Sequence, residues 1–491
     1  MPTSRAEASD RGLTRRALVE RSAAVAASLA FPFGRYVPSV RDADPRIRAL
    51  ERALRGPVVT RGQARYERDR LVFCALYDDV RPLAVAHPFD AADVSAIVRW
   101  ARREGVHIVA RSGGHSYGGY STTRGVVVDL SRLAGVRVGG SRAVIGPGAR
   151  LGVIYGALAR HGKAIPAGTC PSVGIGGHAL GGGFGLASRA WGLASDNLVS
   201  AEIVTADGAV VVVDPDRHSD LFWACRGGGG GNFGIVTRLV FRTHAVRQGS
   251  FFVASWPWAQ VEEVLAAYLG WAPVAPDALG SVCRLAAGPG GPSVQVFGQF
   301  LGSERRLEAV LADLRPPASR LQIGTASWLD LVRRWAGCLG HTLPGCSAPG
   351  HQAFVGASDY IHRVPSPAQL RAFREVVEDR GAASGALLID AYGGALNTVP
   401  AAATAFPHRD ELASIQYFAA GDASSARAWV KSSRAALAHA VSGAAYVNYI
   451  DPALRSWQEA YYGRNLPRLQ RIKRRHDPHD VFHFAQSIRL R

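Results

Sequence analysis

Apolar residues recur along this chain at two spacings. Val94, Ile97, Val98 and Ala101 share one helical face. They sit behind Asp90 and Asp93, which stand at capping-box spacing, and ahead of Gly105, a residue suited to ending a helix. A helix is therefore predicted between Asp90 and Gly105. The same periodicity predicts helices over 46–55, over 151–161 with Gly162 closing it, and over 260–271, 303–314 and 424–440. Ser366-Pro367-Ala368-Gln369 reads as a capping box with proline at the first helical position, opening a helix to 380. Short apolar runs bounded by turn residues predict strands over 71–73, 107–110, 126–130, 143–145 and 235–241. Later strands are predicted over 251–258, 282–285, 293–301, 386–391, 413–418 and 445–450. Asp207-Gly208 lies between strand-like runs at 201–205 and 210–213, which is a hairpin signal.

This mixture implies an α+β protein in four parts. Residues 1–45 read as an export signal and linker, and 46–245 as two small α+β lobes. Residues 246–450 read as a second α+β domain, a sheet with helices on one face, and 451–491 as a C-terminal segment. In the first part, Thr14-Arg15-Arg16-Ala17-Leu18 precedes an alanine-rich apolar run, 23–33, too short to span a bilayer. A charged stretch before such a run reads as an export signal, and the paired arginines resemble a twin-arginine signal. The expected location is secreted or cell-envelope; the alternative is a disordered basic arm. No stable membrane span is expected.

Charge changes the picture little. Lys plus Arg number 57 against 39 Asp plus Glu, a formal +18. Such a balance suits an anionic partner, yet the arginines are scattered and no nucleic-acid-binding module is recognisable, so a nucleic-acid partner is not expected. The one basic run, 468–475, has helical spacing and reads as a solvated face. Six cysteines (74, 170, 225, 283, 338 and 346) are too few and too scattered for a disulfide scaffold. Cys338 and Cys346 read as free thiols, with pairing the alternative in an exported chain. The sequence sets no oligomeric state.

The chemistry concentrates in glycine. Residues 166–185 (Pro-Ala-Gly-Thr-Cys-Pro-Ser-Val-Gly-Ile-Gly-Gly-His-Ala-Leu-Gly-Gly-Gly-Phe-Gly) contain eight glycines and one cysteine. Glycine lets a ligand or another backbone come close, and successive N–H groups form anion-binding concavities. Cys170 has no CxxC partner, so it is either a buried bystander or an attachment point. Residues 111–119 read Arg-Ser-Gly-Gly-His-Ser-Tyr-Gly-Gly, and 227–237 read Gly-Gly-Gly-Gly-Gly-Asn-Phe-Gly-Ile-Val-Thr. Together these stretches resemble the berberine bridge enzyme-like flavoproteins of the vanillyl-alcohol oxidase superfamily, from about residue 70 to the C-terminus.

The resemblance implies a two-lobed PCMH-type FAD-binding domain, and a substrate domain whose antiparallel sheet roofs the flavin. It implies FAD joined covalently to His115 and Cys170. The lining residues it implies are Arg111, Ser112, Gly113, Gly114 and Ser116 from one loop. A second loop gives Gly168, Thr169, Val173, Gly174, Gly176, Gly177, His178, Gly182, Phe184 and Gly185. Gly231, Asn232, Gly234, Ile235 and Val236 complete the set, with Asn448 from the C-terminal motif. Val173 falls where the family carries a residue that gates dioxygen, and valine there goes with oxidase behaviour. No metal site is expected.

In Tyr446-Val447-Asn448-Tyr449 a strand would put Tyr446 and Asn448 on one face. A tyrosine of this motif acts as base in the alcohol-oxidising members, and Tyr446 is the candidate. Tyr449 is a second candidate, or packing. Gln416 stands where the alkaloid-cyclising member has its catalytic glutamate, and glutamine cannot act as a base. Asp390 either polarises the tyrosine or is an exposed strand-end carboxylate. His408 reads as structural. The expected activity is hydride removal from an alcohol carbon of a small molecule, a sugar or a natural-product hydroxyl, with O2 reduced to H2O2. Amine oxidation and a dehydrogenase that passes electrons to a partner are the alternatives, and a basic cell-surface binding protein is a third.

Overall fold

A computed structural model describes residues 44–490, apart from 289, 347–349 and 380–383. The export-signal reading of 1–45 lies almost wholly outside the described residues. Residues 46–491 form one compact unit.

Its first half carries two larger sheets and a two-stranded pair, Lys163–Ala164 with His244–Ala245. A four-stranded sheet runs Val58–Thr60, Ala84–Ala86, Val126–Asp129, Ile108–Arg111; its last two pairings are parallel. A five-stranded antiparallel sheet runs Val136–Gly139, Arg142–Ile145, Ile235–Arg242, Leu198–Val204, Val210–Val213. The Asp207-Gly208 hairpin forms, with Gly208 at φ +83. The helix Ala91–Glu104 buries Val94, Ile97, Val98 and Ala101 and ends on left-handed Gly105. Asp90 accepts the N–H groups of Ala92 and Asp93. Asp93 does not complete a capping box. It reaches back to the N–H groups of Phe89, Arg55 and Gly56, tying the preceding loop to the helix.

From Gln248 onward a seven-stranded antiparallel sheet takes over. Its order is Arg320–Ser327, Gln248–Trp256, Gly291–Phe300, Leu279–Gly288, Ser384–Ala391, Ala413–Ala420, Phe354–Ile361. One face packs against the helices Val261–Trp271, Pro367–Glu378 and Ala423–Leu437. Strand alternation sends Ile415, Tyr417 and Ala419 into that layer and turns Gln416 and Phe418 the other way. The Ser366–Gln369 capping box forms as predicted.

Several expectations are corrected. Both edge strands, Arg320–Ser327 and Phe354–Ile361, escaped prediction. The first is largely exposed, and the second is broken up by Gly356, Ser358 and Asp359. Residues 71–73 form no strand; only Cys74 bridges, to Gln352. Residues 445–450 are not a strand but an irregular turn, fixed by Ala445 N–H on Ala460 O and Tyr446 N–H on Ser358 Oγ. Cys338 and Cys346 are joined in a disulfide rather than left as thiols, their Cα atoms 6.1 Å apart. The basic run becomes the helix Leu466–His476, but it is not solvated throughout. Lys473 is fully buried, donating to Asp477 Oδ2 at 2.7 Å, Phe482 O at 2.6 Å and Asn232 O at 2.9 Å. That ammonium ties the C-terminal segment to the glycine loop at 227–234. Among the described residues no helix is long and apolar enough to cross a membrane.

Replacing Lys473 by methionine strands the buried Asp477 carboxylate. The expected loss is about 3–5 kcal/mol of stability, read as a lower thermal unfolding midpoint. An unchanged midpoint would contradict this account of the joint.

Candidate functional site

A cavity of about 450 Å³ lies between the glycine loops and the seven-stranded sheet, within the size range of cofactor and ligand sites. One wall is the loop that follows the Ile108–Arg111 strand. Gly113, Gly114, His115, Ser116 and Tyr117 all line it. None of these five main-chain N–H groups donates to another described residue. Main-chain donors left without acceptors on a cavity wall suit an anionic ligand. Ser121 Oγ, on the same wall, is buried and has no partner among the described residues.

The second wall is the 168–178 loop. Gly113 and Gly174 cross in backbone contact, which leaves no room for a Cβ on either. A Cβ on Gly177 would meet no protein atom and would project into open space on the cavity wall. Gly231, at φ +76, closes a third side with Asn232, Gly234, Ile235 and Val236.

Most of the expected lining residues are therefore present: Ser112, Gly113, Gly114, Ser116, Gly168, Thr169, Val173, Gly176, Gly177, His178, Phe184, the 231–236 group and Asn448. Four are not. Arg111 is turned away, its guanidinium bound to Asp129 at 2.6 Å and to the carbonyl oxygens of Asp69, Arg70 and Leu71. Gly174, Gly182 and Gly185 lie behind the wall. They are glycines because Ser112 and Gly113, Phe406, and Ala167 respectively come too close for a side chain.

His115 and Cys170 both line the cavity. The Phe73 ring stacks on the His115 imidazole with centroids 3.9 Å apart. Burial, with Arg150 and His178 nearby, pushes His115 down to about 3, so the ring is neutral at ordinary pH. Burial likewise pushes His178 down to about 4, and its Nε2 accepts from Gly168 N–H at 3.0 Å.

Tyr446 comes from the irregular turn, and so does Asn448. The two side chains meet as expected, but through the turn rather than through strand alternation. The Tyr446 phenol oxygen accepts from Gly183 N–H at 2.8 Å, Phe184 N–H at 3.2 Å and Asn448 Nδ2 at 2.8 Å. Asn448 Nδ2 also donates to His178 O at 2.9 Å, which fixes the orientation of the amide. Three donors and no acceptor surround this oxygen, so its own hydrogen is left for the cavity. Burial pushes the phenol up to about 12, against the pull of the three donors.

Asp390 is not an exposed strand end. It is buried on the same sheet face as Gln416, and burial pushes its carboxyl up to about 7. It neither lines the cavity nor hydrogen-bonds Tyr446. An ionised Asp390 would raise the Tyr446 phenol rather than lower it. Gln416 lines the cavity and donates to Tyr117 Oη at 2.6 Å. Tyr117 stacks on Tyr449 at 5.4 Å and sits over Gly356, where a Cβ would lie 2.7 Å from its ring. Burial raises the Tyr449 phenol, and its ring stands edge-on to Tyr446. His408 Nε2 meets Tyr461 O behind the site.

The aromatic wall escaped the sequence reading. Phe73, Tyr117, Phe354, Phe418 and Phe484 are all on it. Only Tyr117 carried a signal, two residues after His115. No cluster able to hold a metal occurs among the described residues.

Comparison with known proteins adds identity to this geometry. Residues 82–214 match the FAD binding domain family, and 445–489 match the berberine and berberine-like family. An uncharacterized FAD-linked oxidoreductase of Bacillus subtilis, YgaK, is 33% identical over 455 residues, covering 89% of this chain and 97% of that protein. A chitooligosaccharide oxidase of Gibberella zeae is 32% identical over 438 residues, 83% and 87% of the two chains. The solved structure of BBE-like 1 from Physcomitrella patens superposes with a TM-score of 0.84 at 30% identity, over 91% of this chain and 99% of that one.

The N–H donors without acceptors, the unpartnered Ser121 hydroxyl and the open space at Gly177 fit a dinucleotide flavin held by main chain rather than by side-chain charge. Gly177→Val places a side chain in that space, where its Cβ meets no protein atom. The expected result is a folded protein, with unchanged circular dichroism, that is purified without flavin colour. A Gly177→Val variant with a full complement of FAD would show that the cofactor does not use this cavity.

Proposed function

The chain belongs to the berberine bridge enzyme-like FAD-linked oxidoreductases, and from that premise we propose that it oxidises a neutral alcohol, of the sugar or natural-product kind, with dioxygen as electron acceptor. FAD would be joined to His115 and Cys170. The fold is the family's two-lobed PCMH-type arrangement with an antiparallel sheet as roof.

The observation that carries the substrate reading is charge. Among the described residues, this arginine-rich chain places no Asp, Glu, Lys or Arg on the wall of its cavity. A buried charge without a partner is costly. An ammonium substrate would find no carboxylate on this wall, and a carboxylate substrate would find no guanidinium. A hydroxylated substrate finds Tyr117, Gln416, Gln352 and Tyr446 set among aromatic rings. The similarity to a chitooligosaccharide oxidase points the same way. Amine oxidation fits less well on these grounds.

The bound flavin would accept the hydride. The protein's part is to hold the alcohol carbon in reach and to take the hydroxyl proton. Tyr446 is suited to the second task. Its oxygen lies on the cavity wall, and Gly183 N–H, Phe184 N–H and Asn448 would all stabilise the charge left when it is deprotonated. Gln416 would hold Tyr117 rather than act as base. Val173 lines the cavity and would be the residue that leaves dioxygen access. Export through the amino-terminal signal fits a protein that takes up its cofactor before leaving the cytoplasm.

Two outcomes test this reading. A screen for peroxide release should find activity with neutral sugars or alcohols and little with amines or acids; the reverse order would refute it. Because burial raises the Tyr446 phenol to about 12, only the deprotonated minority acts as base near neutrality. kcat/KM should then climb with pH by about tenfold per unit below that value. Tyr446→Phe should abolish this climb and slow turnover about 10²–10⁴-fold. A Tyr446→Phe enzyme with the wild-type pH profile would remove Tyr446 from proton transfer.

A further inference from the structure

One hydroxyl touches both proposed attachment residues. Ser172 Oγ lies 2.9 Å from His115 Nε2 and 3.4 Å from Cys170 Sγ. Ser172 itself is buried, while His115 and Cys170 face the cavity. A hydroxyl donates one hydrogen and can accept another. Two polarities of this chain are available. In one, the thiol donates to Ser172 and Ser172 donates to Nε2; the imidazole then carries its hydrogen on Nδ1 and has no free lone pair. In the other, Nε2–H donates to Ser172 and Ser172 donates to the sulfur.

The second polarity leaves both nucleophiles ready. His115 is held neutral, so hydrogen on Nε2 puts a lone pair on Nδ1. Nδ1 has no hydrogen-bond partner among the described residues, and the stacked Phe73 ring restrains the plane of the imidazole. The sulfur, receiving a hydrogen bond, is held in place beside that imidazole.

We propose that Ser172 is the positioning residue for double cofactor attachment: it accepts from His115 Nε2–H and donates to Cys170 Sγ, presenting Nδ1 and the sulfur together to one ligand. This rests on the reading that FAD is joined to both residues. At Cys170 an S–H and a ring C–H bond break and an S–C bond forms. At His115 the Nε2–H bond and one methyl C–H bond break and an Nδ1–C bond forms, with the Nε2 proton leaving towards Ser172. Each attachment releases two protons and two electrons. One dioxygen takes them up as hydrogen peroxide, so each bond consumes one oxidant molecule.

The test is peptide mapping by mass of flavoproteins purified with Ser172 and with Ser172→Ala or Ser172→Thr. Loss of the hydrogen bond to the sulfur should lower the Cys170-linked fraction about tenfold in Ser172→Ala, with FAD still bound in the cavity. Ser172→Thr, which keeps the hydroxyl, should restore the bond. Should the alanine variant not accumulate, Ser172→Val against Ser172→Thr asks the same question with equal volumes. Full linkage of Cys170 in the alanine or valine variant would overturn the proposal while leaving double attachment standing. Failure of threonine to restore the bond would assign the effect to serine's size and also overturn it. A wild type linked at neither residue would overturn the attachment reading and this proposal with it.

Discussion

The close crossing of two main chains, at Gly113 and Gly174, is the constraint on which the site depends. A side chain on either residue would push the loops apart. Their contact brings residues 113–117 and the 168–178 loop to one cavity, where His115, Ser172 and Cys170 form a single hydrogen-bonded group. A dinucleotide is thereby offered donors without side-chain cations. This frees the cavity wall from charge, even though arginine is abundant elsewhere in the chain.

The absence of charge has consequences for chemistry. In a site walled by glycine and aromatic rings, burial holds His115 and His178 neutral and raises the Tyr446 phenol. In the proposed reaction, proton transfer would fall to the Tyr446 phenol, whose oxygen accepts from two main-chain N–H groups and one amide. Those main-chain donors come from residues 183 and 184, inside the glycine-rich stretch that also carries Cys170. The seven-stranded sheet supplies the remaining wall by alternation, with the layer of helices behind it holding the other face.

Much of this was legible in the sequence because it rests on local signals. The Ala91–Glu104 helix, the Asp207-Gly208 hairpin and the Ser366 capping box each have a start or stop residue with a physical reason to be there. The glycine motifs showed the loops that carry His115 and Cys170. What the sequence hid depends on distant contacts. Arg111 adjoins the motif but is captured by Asp129 and three carbonyl oxygens from residues 69–71. The Tyr446 turn looked like a strand because its apolar and polar residues alternate, yet Ser358 and Ala460 hold its backbone. Phe354, Phe418 and Phe484 reach one wall from three separate parts of the chain, and no spacing rule joins them. Lys473 lay inside a basic run and could not be told from its exposed neighbours without knowing where Asp477 and the 227–234 loop sit.

The most direct test of the central claim, a flavin held by main chain and fixed to the protein, is to denature the purified protein in acid and measure its absorption spectrum and intact mass. The account predicts that the yellow colour stays with the polypeptide and that its mass exceeds the chain's by one FAD. Free flavin in the supernatant, with a chain of unmodified mass, would contradict covalent attachment. A well-folded protein with no flavin in either fraction would contradict the assignment of this cavity to FAD.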